Sequence, residues 1–236
     1  MESLVQDTIE SRVQSVLAKI RSAAEKAGRP ASSVRLVAAT KTVPVQKIAE
    51  GVQAGLAILG ENRDQEALSK IPAFKPGPVQ WPFIGQLQRR KVRSVIGVFE
   101  LIHSVDSLEL AQEIDRRAGD AGHRQDVLLE VNIGNEPTKA GFCPEDVRQA
   151  VSELAQLSHI RIKGLMAIPP PTIDPGSARP YFRKLTELAK MIDTQHLPSV
   201  KMDELSMGMS NDYEVAIEEG ATLVRVGSAI FGARHV

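Results

Sequence analysis

The chain has 236 residues, of which 42% are hydrophobic and 25% charged, an ordinary globular composition that excludes a disordered chain. Its 29 Lys and Arg balance 29 Asp and Glu, so no basic excess points to nucleic acid or an anionic membrane. The length exceeds one standard domain, falls short of two, and suits a single (β/α)8 barrel of typically about 250 residues.

Cys143 is the only cysteine, which excludes an intrachain disulfide and a cysteine-based zinc cluster and fits the reducing cytosol. Glu2, Asp7, Glu10 and Arg12 interrupt the N-terminus, so no signal peptide is expected there. No apolar run approaches the roughly 20 residues of a membrane span.

Leu4, Ile9, Val13, Val16, Leu17, Ile20 and Ala24 recur at three- and four-residue steps, the apolar face of a helix. Gly28-Arg29-Pro30 ends it, since glycine suits a C-cap and proline cannot continue the helix. Strand-like runs follow at Val34–Thr40, Ala57–Glu61, Val79–Gly85, Leu101–Val105, Val127–Ile133, Ile162–Ile168, Glu204–Met207 and Leu223–Val226. Helical patterns separate them at Val45–Ala54, Asp64–Leu68, Gln88–Ile96, Leu108–Ala118, Pro144–Leu157, Tyr181–Ile192 and Tyr213–Glu218. Eight strands alternating with helices predict parallel βαβ units, and eight is the number that closes a barrel. The expected fold is therefore α/β, a (β/α)8 TIM barrel with an extra N-terminal helix, residues 1–236 forming one domain. The rival is an open doubly wound sheet, but no GxGxxG follows the first strand. The proline-rich stretches Lys70–Pro78 and Pro169–Gly176 read as loops.

Barrel chemistry collects at the C-terminal ends of strands. Lys41 ends the first strand, where partial burial favours a neutral amine able to attack a carbonyl; a lysine reaching solvent is the simpler alternative. Ser206-Met207-Gly208-Met209-Ser210-Asn211-Asp212 and Arg225-Val226-Gly227-Ser228 follow the seventh and eighth strands. Small residues there suit a phosphate group, or ordinary helix caps. If Val226 points outward, Arg225 faces the interior and needs an acceptor, either a buried carboxylate or a ligand ring nitrogen. The five histidines form no HxxxH or HExxH pair, so no metal site is expected. Cys143 and Trp81 read as packed residues.

Together these features carry a resemblance. The segments Leu36–Thr42, Gly60-Glu61-Asn62, Phe83–Gln88 with Lys91, His103–Ser107, Glu130-Val131-Asn132 with Lys139 and Gly141, Gly164–Pro169, Leu205–Ser210 with Asp212, and Val224–Gly227 with Ile230-Phe231-Gly232 occur in one order along nearly the whole chain. The chain resembles the pyridoxal phosphate homeostasis proteins, single-domain barrels similar to the N-terminal domain of alanine racemase. The resemblance implies pyridoxal 5'-phosphate (PLP) held as an imine to Lys41. It implies Ser210, Gly227 and Ser228 as phosphate ligands, Arg225 opposite the pyridine nitrogen, Asn62 near the ring and Met207 lining the pocket. It further implies a cytoplasmic, non-catalytic carrier, a monomer or weak homodimer, with PLP-dependent apoenzymes as recipients. Two positions depart from the family pattern: Pro82 stands for a histidine and Arg63 for an aromatic residue.

The enzyme alternative is a PLP-dependent amino-acid racemase. In the resembling racemases a second base comes from a tyrosine on a further C-terminal domain, and this chain is expected to lack that domain. A Schiff-base aldolase is disfavoured because its lysine sits on a later strand. A pure interaction module is disfavoured because no partner patch is evident.

Overall fold

The computed structural model describes residues 7–233; Leu4 of the expected N-terminal helix and His235 lie outside them. In chain order the elements are α1 (Ile9–Lys26), β1 (Arg35–Ala39), α2 (Val45–Gln53), β2 (Leu59–Gly60), α3 (Asp64–Lys70), α4 (Val92–Val95), β3 (Leu101–Val105), α5 (Leu108–Asp120), β4 (Gln125–Val131), α6 (Val147–Leu154), β5 (Ile160–Ala167), α7 (Arg179–Asp193), β6 (Val200–Met209), α8 (Tyr213–Glu218), β7 (Leu223–Val226) and α9 (Ser228–Phe231).

Thr8 starts α1. Its hydroxyl accepts the Ser11 N–H while Ser11 Oγ accepts the Thr8 N–H, both at 3.1 Å. This reciprocal box satisfies amides that have no partner inside the helix. The stripe Ile9, Val13, Val16, Ile20, Ala23 and Ala24 is buried, and α1 lies against α2, α8 and α9. It packs on those outer helices, as its apolar face requires.

The seven strands form one parallel, curled sheet in the order β2-β1-β7-β6-β5-β4-β3. Both faces are covered, so the strands are apolar on both. Leu36, Ala38, Leu129, Leu165 and Val224 join the core shared with the helices, while Val37, Ile58, Leu128, Met166 and Leu223 form a second cluster inside the curl. Each fully buried Val, Leu or Ile side chain contributes about 1.5–3 kcal/mol.

The expected strand Val79–Gly85 does not form, so a seven-stranded sheet replaces the predicted eight-stranded one. This stretch makes only isolated bridges, Ile58 with Gln80, and Phe83 with both Glu61 and Ile102. Pro82 has no N–H to give to a ladder, which breaks the strand. The Leu59 N–H nonetheless donates to Gln80 O at 2.8 Å and the His103 N–H to Phe83 O at 2.9 Å. The segment thus lies between the two ends of the sheet order. Cys143 is exposed rather than packed, and its neighbour Pro144 takes the buried place. Trp81 is buried against Phe74 with ring centroids 5.7 Å apart.

Candidate functional site

β1, β7 and β6 are neighbours in the sheet, so the turns after them meet at its C-terminal end. A cavity of about 300 Å³ opens there, lined by Ala39, Lys41, Lys47, Gly227, Ser228 and Phe231 among others, so that its described lining includes two lysines. Such a lining favours an anion.

The turn after β6 depends on Gly208. Its φ is +87°, and a Cβ there would sit 2.6 Å from Ala216 Cβ and 2.9 Å from Tyr213 Cα. Only glycine accepts both the dihedral and the contact. The Met209 N–H donates to Asp212 Oδ1 at 2.7 Å, completing the turn that presents Ser210. Ser210 Oγ then accepts the N–H groups of Gly227 at 3.2 Å and Ala229 at 3.4 Å. Two main-chain donors thus converge on one oxygen, the local geometry by which such turns hold oxyanions. Gly227 passes close to β1: a Cβ would stand 3.3 Å from Ala39 O.

Lys41 sits in a tight turn. The Val43 N–H donates to Thr40 O at 3.0 Å, and Thr42 adopts a φ of 63°. That conformation is an outlier for a β-branched residue and costs on the order of 1–3 kcal/mol.

Arg225 is 5% exposed inside the curl, while Val226 joins the helix-side core, as strand alternation requires. Arg225 Nη1 donates to Ser206 Oγ at 2.5 Å and Nη2 to Ala167 O at 3.1 Å. Burial pushes its guanidinium down to about 10, while Glu130 and Asp212 oppose the shift; it remains protonated at neutral pH. Ser206 Oγ also lies 2.9 Å from His103 Nδ1. His103 Nε2 is buried with no hydrogen-bond partner among the described residues. Burial, then the charges of Arg225 and Arg35, hold His103 well below its ordinary 6.5, so the ring is neutral.

A second cavity of about 330 Å³ occupies the other half of this end, lined by Asn62, Gln86, Ser104, Glu130, Asn132 and Met166 among others. Burial pushes the Glu130 carboxyl up to about 7, Asp106 adds to the shift, and Arg225 opposes it.

The expected site residues therefore divide. Lys41, Gly227 and Ser228 share the first cavity, and Ser210 is bonded to its rim. Asn62 lines the second cavity. Arg225 lies within the curl. Met207 is fully buried in the helix-side core, so only its main chain is available to a ligand. Sequence reasoning missed Lys70 and Glu66, which bond the Lys41 turn. Their four-residue spacing within a helix was the available signal. No cluster of three or more His, Cys, Asp or Glu suited to a metal occurs among the described residues.

The sequence model of the alanine racemase N-terminal domain matches residues 12–235. A pyridoxal phosphate homeostasis protein from Aquifex aeolicus is 46% identical over 94% of this chain and 97% of its own length. One from Pseudomonas aeruginosa is 41% identical over 96% of both. Among solved structures, PipY of Synechococcus elongatus with PLP bound superposes with a TM-score of 0.82 at 35% identity, covering 95% of this chain and 100% of that one. An alanine racemase from Clostridium difficile, at 17% identity and a TM-score of 0.71, shares the fold over 96% of this chain and 57% of its own. Near-complete coverage at these identities shows that the chain belongs to the pyridoxal phosphate homeostasis protein family.

Proposed function

We propose that this protein binds PLP at the C-terminal ends of β1, β6 and β7 and serves PLP homeostasis in the cytoplasm without substantial catalytic turnover. The observation that carries this reading is the meeting of the Lys41 turn with the Gly227-Ser228 turn at a cavity lined by two lysines, with the Ser210 turn bonded to its rim. The names of the relatives and the PLP bound to PipY support the same ligand.

When bound, PLP supplies an aldehyde that condenses with amines, together with a phosphate dianion and a pyridine ring. Lys41 presents the amine for a covalent bond to the aldehyde carbon. Ser210, Gly227 and Ser228 hold the phosphate through hydroxyl and main-chain N–H donors. Arg225 stays protonated and donates to the ring nitrogen, which keeps that nitrogen unprotonated and the ring a poor electron sink. A poor sink suits a carrier better than a racemase. Asn62 borders the ring, and Met207 contributes through its main chain. PLP-dependent apoenzymes are the recipients, and a monomer or weak homodimer suffices. The chain acts as one domain, and the 80–84 segment serves as the eighth stave of a closed barrel.

Titration of the purified protein with PLP tests the reading. A saturable one-to-one absorbance band that survives gel filtration and is competed by inorganic phosphate is expected, without racemisation of alanine. Absence of a saturable band, or steady racemisation, contradicts it.

A further inference from the structure

Lys70 closes α3 and is only 5% exposed. A lysine so buried needs acceptors, and it has three: Thr40 O at 2.7 Å, Glu61 Oε1 at 2.7 Å and Glu66 Oε1 at 2.6 Å. All three lead to the turn that carries Lys41. Thr40 immediately precedes Lys41, and its hydroxyl donates to the same Glu61 Oε1 at 2.7 Å. Thr42 immediately follows Lys41, and its N–H donates to the same Glu66 Oε1 at 2.5 Å. One ammonium thus ties both chain neighbours of Lys41. The turn requires such a tie because Thr42 is held at a φ of 63°, which a β-branched residue otherwise avoids.

We infer that Lys70, acting with Glu61 and Glu66, is a positioning residue for Lys41: it clamps the strained Thr40–Val43 turn so that the Lys41 amine is presented to the cavity shared with Gly227 and Ser228. The inference rests on the proposed bond between Lys41 and PLP. A network serving stability alone would have no need to converge on the two residues flanking the reactive lysine. Uncoupling it loosens the turn while leaving the phosphate-holding turns after β6 and β7 intact, because neither contributes a residue to the network.

Lys70→Met strands two carboxylates and is expected to disturb folding, so Glu66→Ala is the working variant and Glu66→Gln, which keeps an acceptor oxygen, is the rescue. Two quantities are measured beside the unfolding midpoint: hydrogen exchange at the Thr42 amide, and the rate at which PLP becomes trapped on Lys41 by borohydride. Glu66→Ala is expected to speed Thr42 exchange about tenfold and slow trapping about tenfold or more, with competition by inorganic phosphate unchanged. Glu66→Gln is expected to restore both. A folded Glu66→Ala that traps PLP at the native rate overturns the inference. If the native protein traps no PLP on Lys41, the cofactor reading itself fails. The clamp is then judged on Thr42 exchange alone, and unchanged exchange in Glu66→Ala overturns it.

Discussion

The two ends of the sheet are built by the same strands yet treat charge in opposite ways. At the N-terminal end a cavity of about 220 Å³ is lined by Arg35, Glu100, Asp126, Lys163 and Glu204, among others. Four of these charges meet side-chain partners, Arg35 with Glu204, Asp126 with Arg161 at 2.5 Å and Lys163 with Asp203 at 3.6 Å, while Glu100 Oε2 accepts the Trp81 N–H at 2.7 Å. At the C-terminal end the described lining of the cavity around Lys41 includes two lysines, and N–H groups converge on Ser210 Oγ. The first end pairs most of its charges internally, whereas the second gathers two lysines at one cavity. Parallel strands explain the asymmetry. Every strand has the same polarity, so every turn leading into a helix, with its unsatisfied N–H groups, lies at one end. Between the ends runs a chain of hydrogen-bonded side chains, Arg225, Ser206 and His103.

Substitutions at the two ends should therefore separate sharply. The largest effect is expected from Lys41→Ala, which should abolish borohydride-stable attachment of PLP while leaving weaker, phosphate-competed binding measurable by equilibrium dialysis. Gly208→Ala comes next. The added Cβ meets Ala216 and Tyr213, so stability should fall by about 1–3 kcal/mol in urea titration and PLP affinity should fall with it. An unchanged affinity would detach the Ser210 turn from the cradle.

Ser206→Ala breaks the chain between the two ends. It deprives the buried Arg225 and His103 of a partner and should cost about 1–3 kcal/mol, again read from urea unfolding. Glu130 adds a pH dependence of similar size. Its native value of about 7 lies above the ordinary 4.5, so the native state holds the proton more tightly than the unfolded chain. The stabilisation is full below about pH 4.5 and is lost as pH rises through about 7, a loss on the order of 3 kcal/mol. Glu130→Gln should remove that slope from the stability-versus-pH curve. The smallest effect is expected at the internally paired end. Arg35→Ala breaks a partly exposed pair and should cost no more than about 1 kcal/mol, with PLP affinity unchanged. A large loss of affinity there would erase the distinction between the ends.

Much of this layout is legible in the sequence where the signal is local. Leu101–Val105, Leu223–Val226 and Tyr213–Glu218 form with the bounds expected from their apolar patterning. β6 begins earlier than expected, at Val200, because Lys201 and Asp203 can face solvent while their main chain still pairs. The expected helix Gln88–Ile96 shortens to a 3-10 turn at Arg89–Lys91 followed by α4. Its basic start is exposed and buries no apolar stripe to extend it. Within the candidate site, the placement of Lys41, Ser210, Arg225 and Gly227 toward the C-terminal end of the sheet is legible because they stand at strand ends. Met207 is misjudged by parity: with Ser206 turned inward to Arg225, its neighbour must turn toward the helices. The spacing of Glu66 and Lys70 is visible in the sequence, but it points the wrong way. Glu and Lys four residues apart in a helix ordinarily mark a solvated face, and only contacts with Thr40 and Glu61, on other elements, reveal the buried clamp.

The most direct test of the central claim is peptide mapping of the protein after incubation with PLP and reduction by borohydride. A single pyridoxyl group on Lys41, absent when inorganic phosphate competes at saturation, is predicted. A label carried by another lysine, such as Lys47 or Lys139, or no label at all, would contradict it.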